Sequence, residues 1–165
     1  EALNAQYGTN FISVMPTNLY GSGDNFDLNN SHVLPALIRK FLEAKQVKAP
    51  KVVVWGTGRP RREFLYVDDL ADAVVWLMET YDGKQIVNIG TGKDHSILEV
   101  AQFVKEVVGY QGEITLDSTK PDGTPQKLLD VSRINKLGWK ATIDLRTGIE
   151  RTVEWYETIG NHPVV

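Results

Sequence analysis

The chain's 165 residues, of which 42% are hydrophobic and 24% charged, are enough for one globular domain with its own core. A net charge of −3 excludes a partner held by bulk charge, such as a nucleic acid, and no apolar run reaches the roughly 18 residues of a membrane span. The lack of cysteine excludes disulfides and thiolate metal sites, and it is typical of a cytoplasmic protein.

The first residues, Glu1 to Tyr7, resemble the last turns of a helix and not a signal peptide, and they include no initiator methionine. We therefore interpret the chain as a piece of a longer protein. Apolar residues 11–15 follow and predict a buried strand that ends at Pro16. A polar loop with glycines then leads to a helix whose predicted N-cap is Ser31. Ligands of parallel α/β sheets bind just beyond the carboxyl ends of strands, so this loop is a predicted site.

Strands and helices alternate along the rest of the chain, which predicts an α/β architecture. Further strands are predicted at residues 51–55, 63–67, 86–89 and 113–116. Helices are predicted to begin at Asp68 or Asp69 and at the capping box Ser96–Glu99, with Gly109 ending the latter, and to cover 132–137 and 145–159. Helical spacing predicts two inward faces, formed by Val33, Leu34, Leu37, Ile38, Phe41 and Leu42, and by Leu70, Ala73, Val74, Leu77 and Met78.

Cations gather in predicted loops although the chain is acidic overall. Arg59, Arg61 and Arg62 lie in one turn, while Lys120 begins the loop KPDGTPQ and Lys127 directly follows it. Such clusters suit a small anion such as phosphate, because a guanidinium offers a planar fork to paired oxygens. A solvated charged face is the commoner explanation of a charge cluster, and the residues alone leave both readings open.

Three motifs and three longer segments resemble one family. The motifs are Asn18-Leu19-Tyr20-Gly21 after a strand, Arg62-Glu63-Phe64 before Val67-Asp68-Asp69, and Asn88-Ile89-Gly90. In this order they are similar to the C-terminal half of extended short-chain dehydrogenases that act on nucleotide sugars. The segments NFDLNNSHVLPALIRKF (25–41), VVVWGTGRPRREFLYVDDLA (52–71) and KPDGTPQKLLDVSRINKLGW (120–139) resemble the GDP-L-fucose synthase family within that group.

The resemblance covers nearly the whole chain and implies an α/β fold. The chain would be the C-terminal part of an extended Rossmann-type nucleotide-sugar short-chain dehydrogenase, with a small α/β substrate-binding domain. Residues 1–30 would hold the terminal strand and loop of the NAD(P)-binding Rossmann domain. Residues 31–160 would mainly bind the nucleotide sugar, with a Rossmann strand–helix segment returning near 63–90, and residues 161–165 would form a tail.

The same resemblance implies an enzyme that uses NADPH and a GDP-sugar substrate. The family epimerises C3 and C5 of GDP-4-keto-6-deoxymannose and then reduces the C4 ketone, which gives GDP-L-fucose. The chemistry is coherent, because a carbon beside a ketone is acidic and the cofactor supplies the hydride. A cytoplasmic homodimer without nucleic-acid or membrane partners is also implied.

Roles at the cofactor end follow from the resemblance, residue by residue. His32 would be the acid in epimerisation and lie near the nicotinamide, a task that suits imidazole because its ordinary pKa is near the working pH. Pro16, Thr17, Asn18 and Leu19 would line the nicotinamide end of NADPH. The alternative readings are a surface or capping histidine, and a turn that merely ends a strand.

Roles at the substrate end fall on Lys40, Trp55, Arg62, Asp122 and Lys127. Arg62 would contact the diphosphate, or form an ion pair, and Lys127 would meet phosphate. Trp55 would pack against sugar or base, or close its strand in the core. Asp122 would accept hydrogen bonds from guanine or ribose, or serve the Pro-Asp-Gly turn. Lys40 departs from the arginine of relatives, keeping the charge but losing the fork.

Several parts of the family pattern do not occur in this chain. It has no glycine-rich NADPH loop, no tyrosine followed four residues later by lysine, and no cysteine. Gly90-Thr91-Gly92 is interpreted as a turn, since a dinucleotide fingerprint requires G-x-G-x-x-G opening a helix, and no metal-ligand spacing is present. We therefore expect the chain alone neither to hold NADPH tightly nor to catalyse. Another nucleotide-sugar epimerase or dehydratase, a non-catalytic nucleotide-sugar binding module and a purely structural piece stay open as alternatives.

Overall fold

The computed structural model describes residues 1–158 and shows strands alternating with helices, as the sequence predicts. The strands are Val14–Pro16 (β1), Asn18–Tyr20 (β2), Lys51–Trp55 (β3), Arg61–Tyr66 (β4), Val87–Ile89 (β5), Asp94–Ser96 (β6), Glu113–Asp117 (β7) and Gln126–Lys127 (β8). The helices are Ala2–Tyr7 (α1), Val33–Gln46 (α2), Val67–Thr80 (α3), Ile97–Val108 (α4), Ser132–Leu137 (α5) and Leu145–Thr158 (α6).

Most strand pairs are parallel. β1 pairs with β5, β2 with β4, and β3 with β7, each in parallel register. The antiparallel strand β6 and the short parallel strand β8 pair with the first residues of β4, on its two opposite edges. Parallel pairs need a crossover between them, and helices supply it here, which confirms the predicted α/β class.

Two hydrophobic clusters lie on different parts of this framework. The first joins helices α2, α4 and α6 to strand β3 and includes Phe41, Val54 and Val104. The second joins α3, α5 and strand β5 and includes Leu77 and Ile134. The predicted inward face of α2 is confirmed, with Leu34, Leu37, Ile38 and Phe41 all buried.

The local end signals of α4 and α5 are confirmed. The Ser96 hydroxyl accepts a hydrogen bond from the Glu99 amide, while the Glu99 carboxylate accepts one from the Ser96 amide. Gly109 ends α4 with φ at 71°, and Gly138 ends α5 with φ at 113°, left-handed values that favour glycine.

Helix α2 begins one residue later than predicted. Its N-cap is His32, and the prediction of Ser31 is wrong. The cause is Pro35, which has no N–H to give to the carbonyl four residues back. A start at Val33 puts this proline in the first turn, where no such bond is required, and the first helical bond runs from the Ala36 amide to the His32 carbonyl.

Helix α3 has Tyr66 as its N-cap, so the prediction of Asp68 or Asp69 is wrong. The Asp69 carboxylate instead accepts hydrogen bonds from the Thr142 and Ile143 amides, which ties α3 to the chain before α6. Met78 was also assigned wrongly to the inward face of α3. It is 70% exposed, because the buried face follows Ala73 and Leu77, and the next residue points about 100° away.

The strand predicted at residues 11–15 is shorter and shifted, since β1 covers Val14–Pro16. Phe11 is 62% exposed, and its amide and carbonyl bond the side chain of Asn4 instead of a neighbouring strand. Strand β4 begins earlier than predicted, so Arg61 and Arg62 belong to a strand and not to the turn before it. The predicted last residue of α6, Ile159, and the tail lie outside the described residues.

Candidate functional site

An open cavity of about 720 Å³ lies between β2 with its following loop, the start of α2, and β4. Its size is in the range of small-molecule sites. The sequence-predicted residues in its lining are Thr17, Asn18, Leu19, His32, Arg62 and Lys127. Four other predicted residues, Pro16, Lys40, Trp55 and Asp122, lie outside this lining.

Arg62 and Lys127 lie side by side at this cavity. They face each other in the register between β4 and β8, so their side chains project from the same face of the sheet. The Arg62 Nη1 atom donates to the carbonyls of Arg61 and Thr124, at 2.7 and 2.6 Å. Within residues 1–158 its Nε and Nη2 atoms make no hydrogen bond, and no carboxylate lies within ion-pair distance. One edge of the guanidinium is therefore available to an anion, and the ion-pair reading is not what the structure shows.

His32 lies at the N-cap of α2 and is exposed to the cavity. Its imidazole makes no hydrogen bond with other groups in residues 1–158. The N-terminus of a helix carries a partial positive charge and favours a negatively charged ligand. An imidazole therefore lies on the same cavity as the two cations, Arg62 and Lys127.

The strand-end segment of the site is held by the main chain of Glu63. The Asn18 Nδ2 atom donates to the Glu63 carbonyl at 2.7 Å, and the Thr17 hydroxyl donates to it at 3.3 Å. Leu19 continues the segment in β2, while Pro16 pairs with Ile89 in the sheet. These bonds orient the amide of Asn18, whose Oδ1 atom accepts no hydrogen bond from residues 1–158.

The side chain of Glu63 is a feature that sequence reasoning missed. It is fully buried, and its carboxylate accepts hydrogen bonds from the Gly92 amide at 2.7 Å and the Leu129 amide at 2.9 Å. A Cβ at Gly90 would lie 2.3 Å from Glu63 Oε1, so the turn 90–92 approaches the carboxylate too closely for a side chain there. Glu63 thus joins the turn after β5, the segment after β8 and the site strand. The motif Arg62-Glu63-Phe64 includes Glu63, but it gave no sign of these hydrogen-bond partners.

Trp55 and Lys40 form a second group, on a shallow groove of about 510 Å³. Trp55 is 59% exposed at the end of β3, so it does not close that strand in the core. The ammonium of Lys40 lies 4.8 Å from the ring centroid and that of Lys120 lies 5.4 Å from it, distances typical of cation–π contacts. Burial lowers the pKa of the Lys40 ammonium. An aromatic face flanked by two cations suits a planar, anionic ligand.

The loop after β7 links the two groups. Lys120 lies over Trp55, Thr124 accepts the bond from Arg62, and Lys127 lies beside Arg62. Between them the Asp122 carboxylate accepts hydrogen bonds from the amide and hydroxyl of Thr57, the former at 2.7 Å. These bonds, with the charge of Arg59, lower the pKa of the Asp122 carboxyl. Asp122 therefore anchors this loop, which holds Lys120 beside Trp55 and leads to Lys127 beside Arg62.

A model of the NAD dependent epimerase/dehydratase family matches residues 1–90, more than half of the chain. The chain belongs to that family. The matched residues include β1, β2 and β4, together with His32 and Arg62. The family assignment therefore covers the part of the chain that forms most of the cavity.

Relatives within the family are similar over almost the whole chain. A probable GDP-L-fucose synthase 1 from rice (Oryza sativa subsp. japonica) is 58% identical over 156 residues, which are 94% of this chain and 48% of the relative. The GDP-L-fucose synthetase of Naegleria fowleri, solved with NADP bound, has a TM-score of 0.86 at 33% identity over 94% of this chain and 49% of that one. The GDP-mannoheptose C4 reductase of Campylobacter jejuni, also with NADP, has a TM-score of 0.85 at 41% identity, covering 96% of this chain and 56% of that one.

The chain spans about half the length of the curated relatives that it matches. Family membership and fold follow from these likenesses for the chain itself. Among the described residues, no helix is long and apolar enough to cross a membrane.

Proposed function

We propose that this chain carries the GDP-sugar side of a GDP-L-fucose synthase. In the whole protein the reaction is the NADPH-dependent epimerisation of GDP-4-keto-6-deoxymannose at C3 and C5, followed by reduction at C4. The observation that carries the proposal is the pairing of Arg62 and Lys127 on one cavity with His32. The 58% identity to a probable GDP-L-fucose synthase supports the choice of reaction.

The proposed ligand path runs along the loop after β7. Guanine packs against Trp55 between the cations Lys40 and Lys120, and the diphosphate meets Arg62 and Lys127. The free edge of the Arg62 guanidinium supports this order, because paired phosphate oxygens fit such an edge. The role of Asp122 in this arrangement is to hold the loop, with its outer lone pairs left for ribose or guanine donors.

The sugar and the nicotinamide meet at His32 in this proposal. Thr17, Asn18 and Leu19 line the cofactor end of the cavity, and Pro16 shapes the strand end beside them. His32 gives a proton to the sugar carbon at which a proton has been removed from the opposite face. NADPH supplies the hydride when bound. The NADP-bound structures of two neighbours support this choice of cofactor.

The second hydrophobic cluster supports part of the proposed domain division. Residues 12–19 and most buried residues of 65–89 pack in that cluster, which supports their assignment to the Rossmann side, whereas Tyr20, Phe26, Phe64 and Tyr66 pack in the first cluster. Residues 129–141 also pack in the second cluster, so we assign them to the Rossmann side as well. The rest of 31–158 forms the nucleotide-sugar side.

A homodimer stays part of the proposal. Exposed apolar side chains support a covered surface near the first helix, namely Leu3, Tyr7, Phe11 and Met15.

The chain is expected to bind GDP, and a thermal shift measurement checks this. GDP at 100 times its Kd stabilises a protein by about 2.7 kcal/mol, which raises Tm by several degrees in a domain of this size. Guanosine, which lacks the diphosphate, is the matched control and is expected to shift Tm much less. Equal shifts from GDP and guanosine, or no shift from GDP at millimolar concentration, would contradict the proposal.

A C4 reductase without epimerase activity is the second candidate, favoured by the 41% identity to the GDP-mannoheptose C4 reductase. Both candidates predict GDP binding, so that experiment does not separate them. Incorporation of solvent deuterium at C3 and C5 of the keto sugar does, because only an epimerase removes and replaces those protons. The measurement requires the whole protein with NADP.

A further inference from the structure

Two buried polar side-chain atoms in residues 1–158 have no hydrogen-bond partner, and both belong to the loop before α2. They are Asp24 Oδ2 and Ser31 Oγ. Buried polar atoms in folded proteins nearly always have partners, so each exception calls for an explanation. His32 follows directly after Ser31 and lines the same cavity as Asp24. The unpartnered atoms are therefore gathered next to the proposed proton donor.

Asp24 is half-buried, and only one of its two carboxylate oxygens accepts a hydrogen bond within the described residues. Its Oδ1 atom accepts a hydrogen bond from the Asn25 amide at 2.7 Å, whereas Oδ2 is buried and unpartnered. Burial raises the pKa of the Asp24 carboxyl, and the charge of nearby His32 lowers it. Both groups line the cavity, and within the described residues no hydrogen bond joins them.

His32 offers the complementary group. Its imidazole is exposed and makes no hydrogen bond within the described part of the chain. A neutral imidazole has one N–H and one acceptor nitrogen, and a carboxylate bound to the N–H fixes which nitrogen carries the proton. The other titratable or charged groups around the cavity are Tyr20, Arg62 and Lys127. Of these, the two cations disfavour a protonated imidazole, which leaves Asp24 as the anion of the cavity that favours it.

We propose that Asp24 is a positioning residue for His32, an inference that rests on the proposed function in which His32 transfers the proton. The imidazole turns inward and donates one N–H to Asp24 Oδ2, which gives the unpartnered oxygen its hydrogen bond. The other ring nitrogen then faces the sugar and gives its proton to the sugar carbon. Asp24 stays ionised throughout, so one proton leaves the imidazolium and one C–H bond forms. The carboxylate stabilises the protonated ring from which that proton comes.

The test is an NMR titration of the His32 ring protons in the 165-residue chain, with the His32→Gln variant identifying the signal. Asp24→Asn keeps the shape of the side chain and removes the negative charge. We expect it to lower the pKa of His32 by about one unit, the lower end of the effect of an adjacent opposite charge. The matched control is Asp27→Asn, which removes the same charge from the same loop. Asp27 accepts the amides of Asn29 and Asn30 and does not line the cavity, so the pKa of His32 is expected to stay within 0.2 units, a margin of about 0.3 kcal/mol.

The inference is overturned if Asp24→Asn leaves the pKa of His32 unchanged, raises it, or shifts it no more than Asp27→Asn does. If Asp24→Asn does not fold, the carboxyl carbon of Asp24 in the unmodified chain replaces it. Its titration curve should then show a second inflection at the pKa of His32 that disappears in His32→Gln, and a single inflection in both proteins overturns the inference. Neither titration uses GDP. A failure to bind GDP would therefore contradict the proposed function and leave the result of these titrations unaffected.

Discussion

Replacing Glu63 with alanine is expected to lower the free energy of unfolding by about 3 to 5 kcal/mol. The carboxylate is fully buried and accepts hydrogen bonds from the amides of Gly92 and Leu129, which the substitution would leave without this acceptor. Each hydrogen bond to a charged group contributes about 1.5 to 3 kcal/mol, so the loss of the two bonds accounts for the expected change. Urea unfolding, analysed by linear extrapolation, measures the loss.

Two further substitutions sharpen this prediction. Glu63→Gln keeps the shape but points an amide NH2 at one of two N–H donors, so a loss of about 2 kcal/mol is expected. Glu113→Ala removes an exposed glutamate from a strand, where a change within about 0.5 kcal/mol is expected. If Glu63→Ala and Glu113→Ala had the same effect, Glu63 would not join the three segments of the site.

Replacing Arg62 with alanine is expected to weaken GDP binding about 30-fold to 150-fold. The substitution removes two charge-assisted hydrogen bonds to phosphate, which together contribute about 2 to 3 kcal/mol to binding. Arg62→Lys keeps the charge without the planar fork, so its Kd for GDP is expected to lie between those of the unmodified chain and Arg62→Ala. Isothermal titration calorimetry at fixed ionic strength gives the three Kd values.

Structural side effects of the Arg62 change need their own controls, because this arginine also donates to the Thr124 carbonyl. Lys127→Ala removes the neighbouring cation, and in residues 1–158 the Lys127 side chain makes no hydrogen bond or ion pair. A loss of about fivefold in affinity is expected there. Arg146→Ala removes an arginine paired with Glu106 on the helices, and it should leave the affinity unchanged. Equal losses for Arg62→Ala and Arg146→Ala would contradict a phosphate role.

Local signals in the sequence predicted much of the fold. The capping box at Ser96 and Glu99 and the apolar spacing along α2 specify helices through contacts within a few residues, and both are confirmed. The start of α2 was missed by one residue because Ser31 is a good N-cap by type, while Pro35 sets the position. Type preferences alone do not weigh such neighbours.

Long-range partners were beyond the reach of the sequence. The bond from the Leu129 amide to Glu63 spans 66 residues, and the bonds that hold Asp69 span 73 or more, so no local pattern marks either acid. The adjacency of Arg62 and Lys127 depends on β8, whose two residues are too short for a strand signal. The resemblance supplied these site residues one by one, whereas the register of two strands is what brings them together.

The central claim is that a GDP-sugar lies along the loop from Trp55 to His32, and a crystal structure of the chain with GDP tests it most directly. The account predicts guanine against the Trp55 ring and the diphosphate on the free edge of Arg62 and on Lys127, with His32 beyond the terminal phosphate. GDP bound at another surface, or crystals grown at saturating GDP with both groups empty, would contradict it.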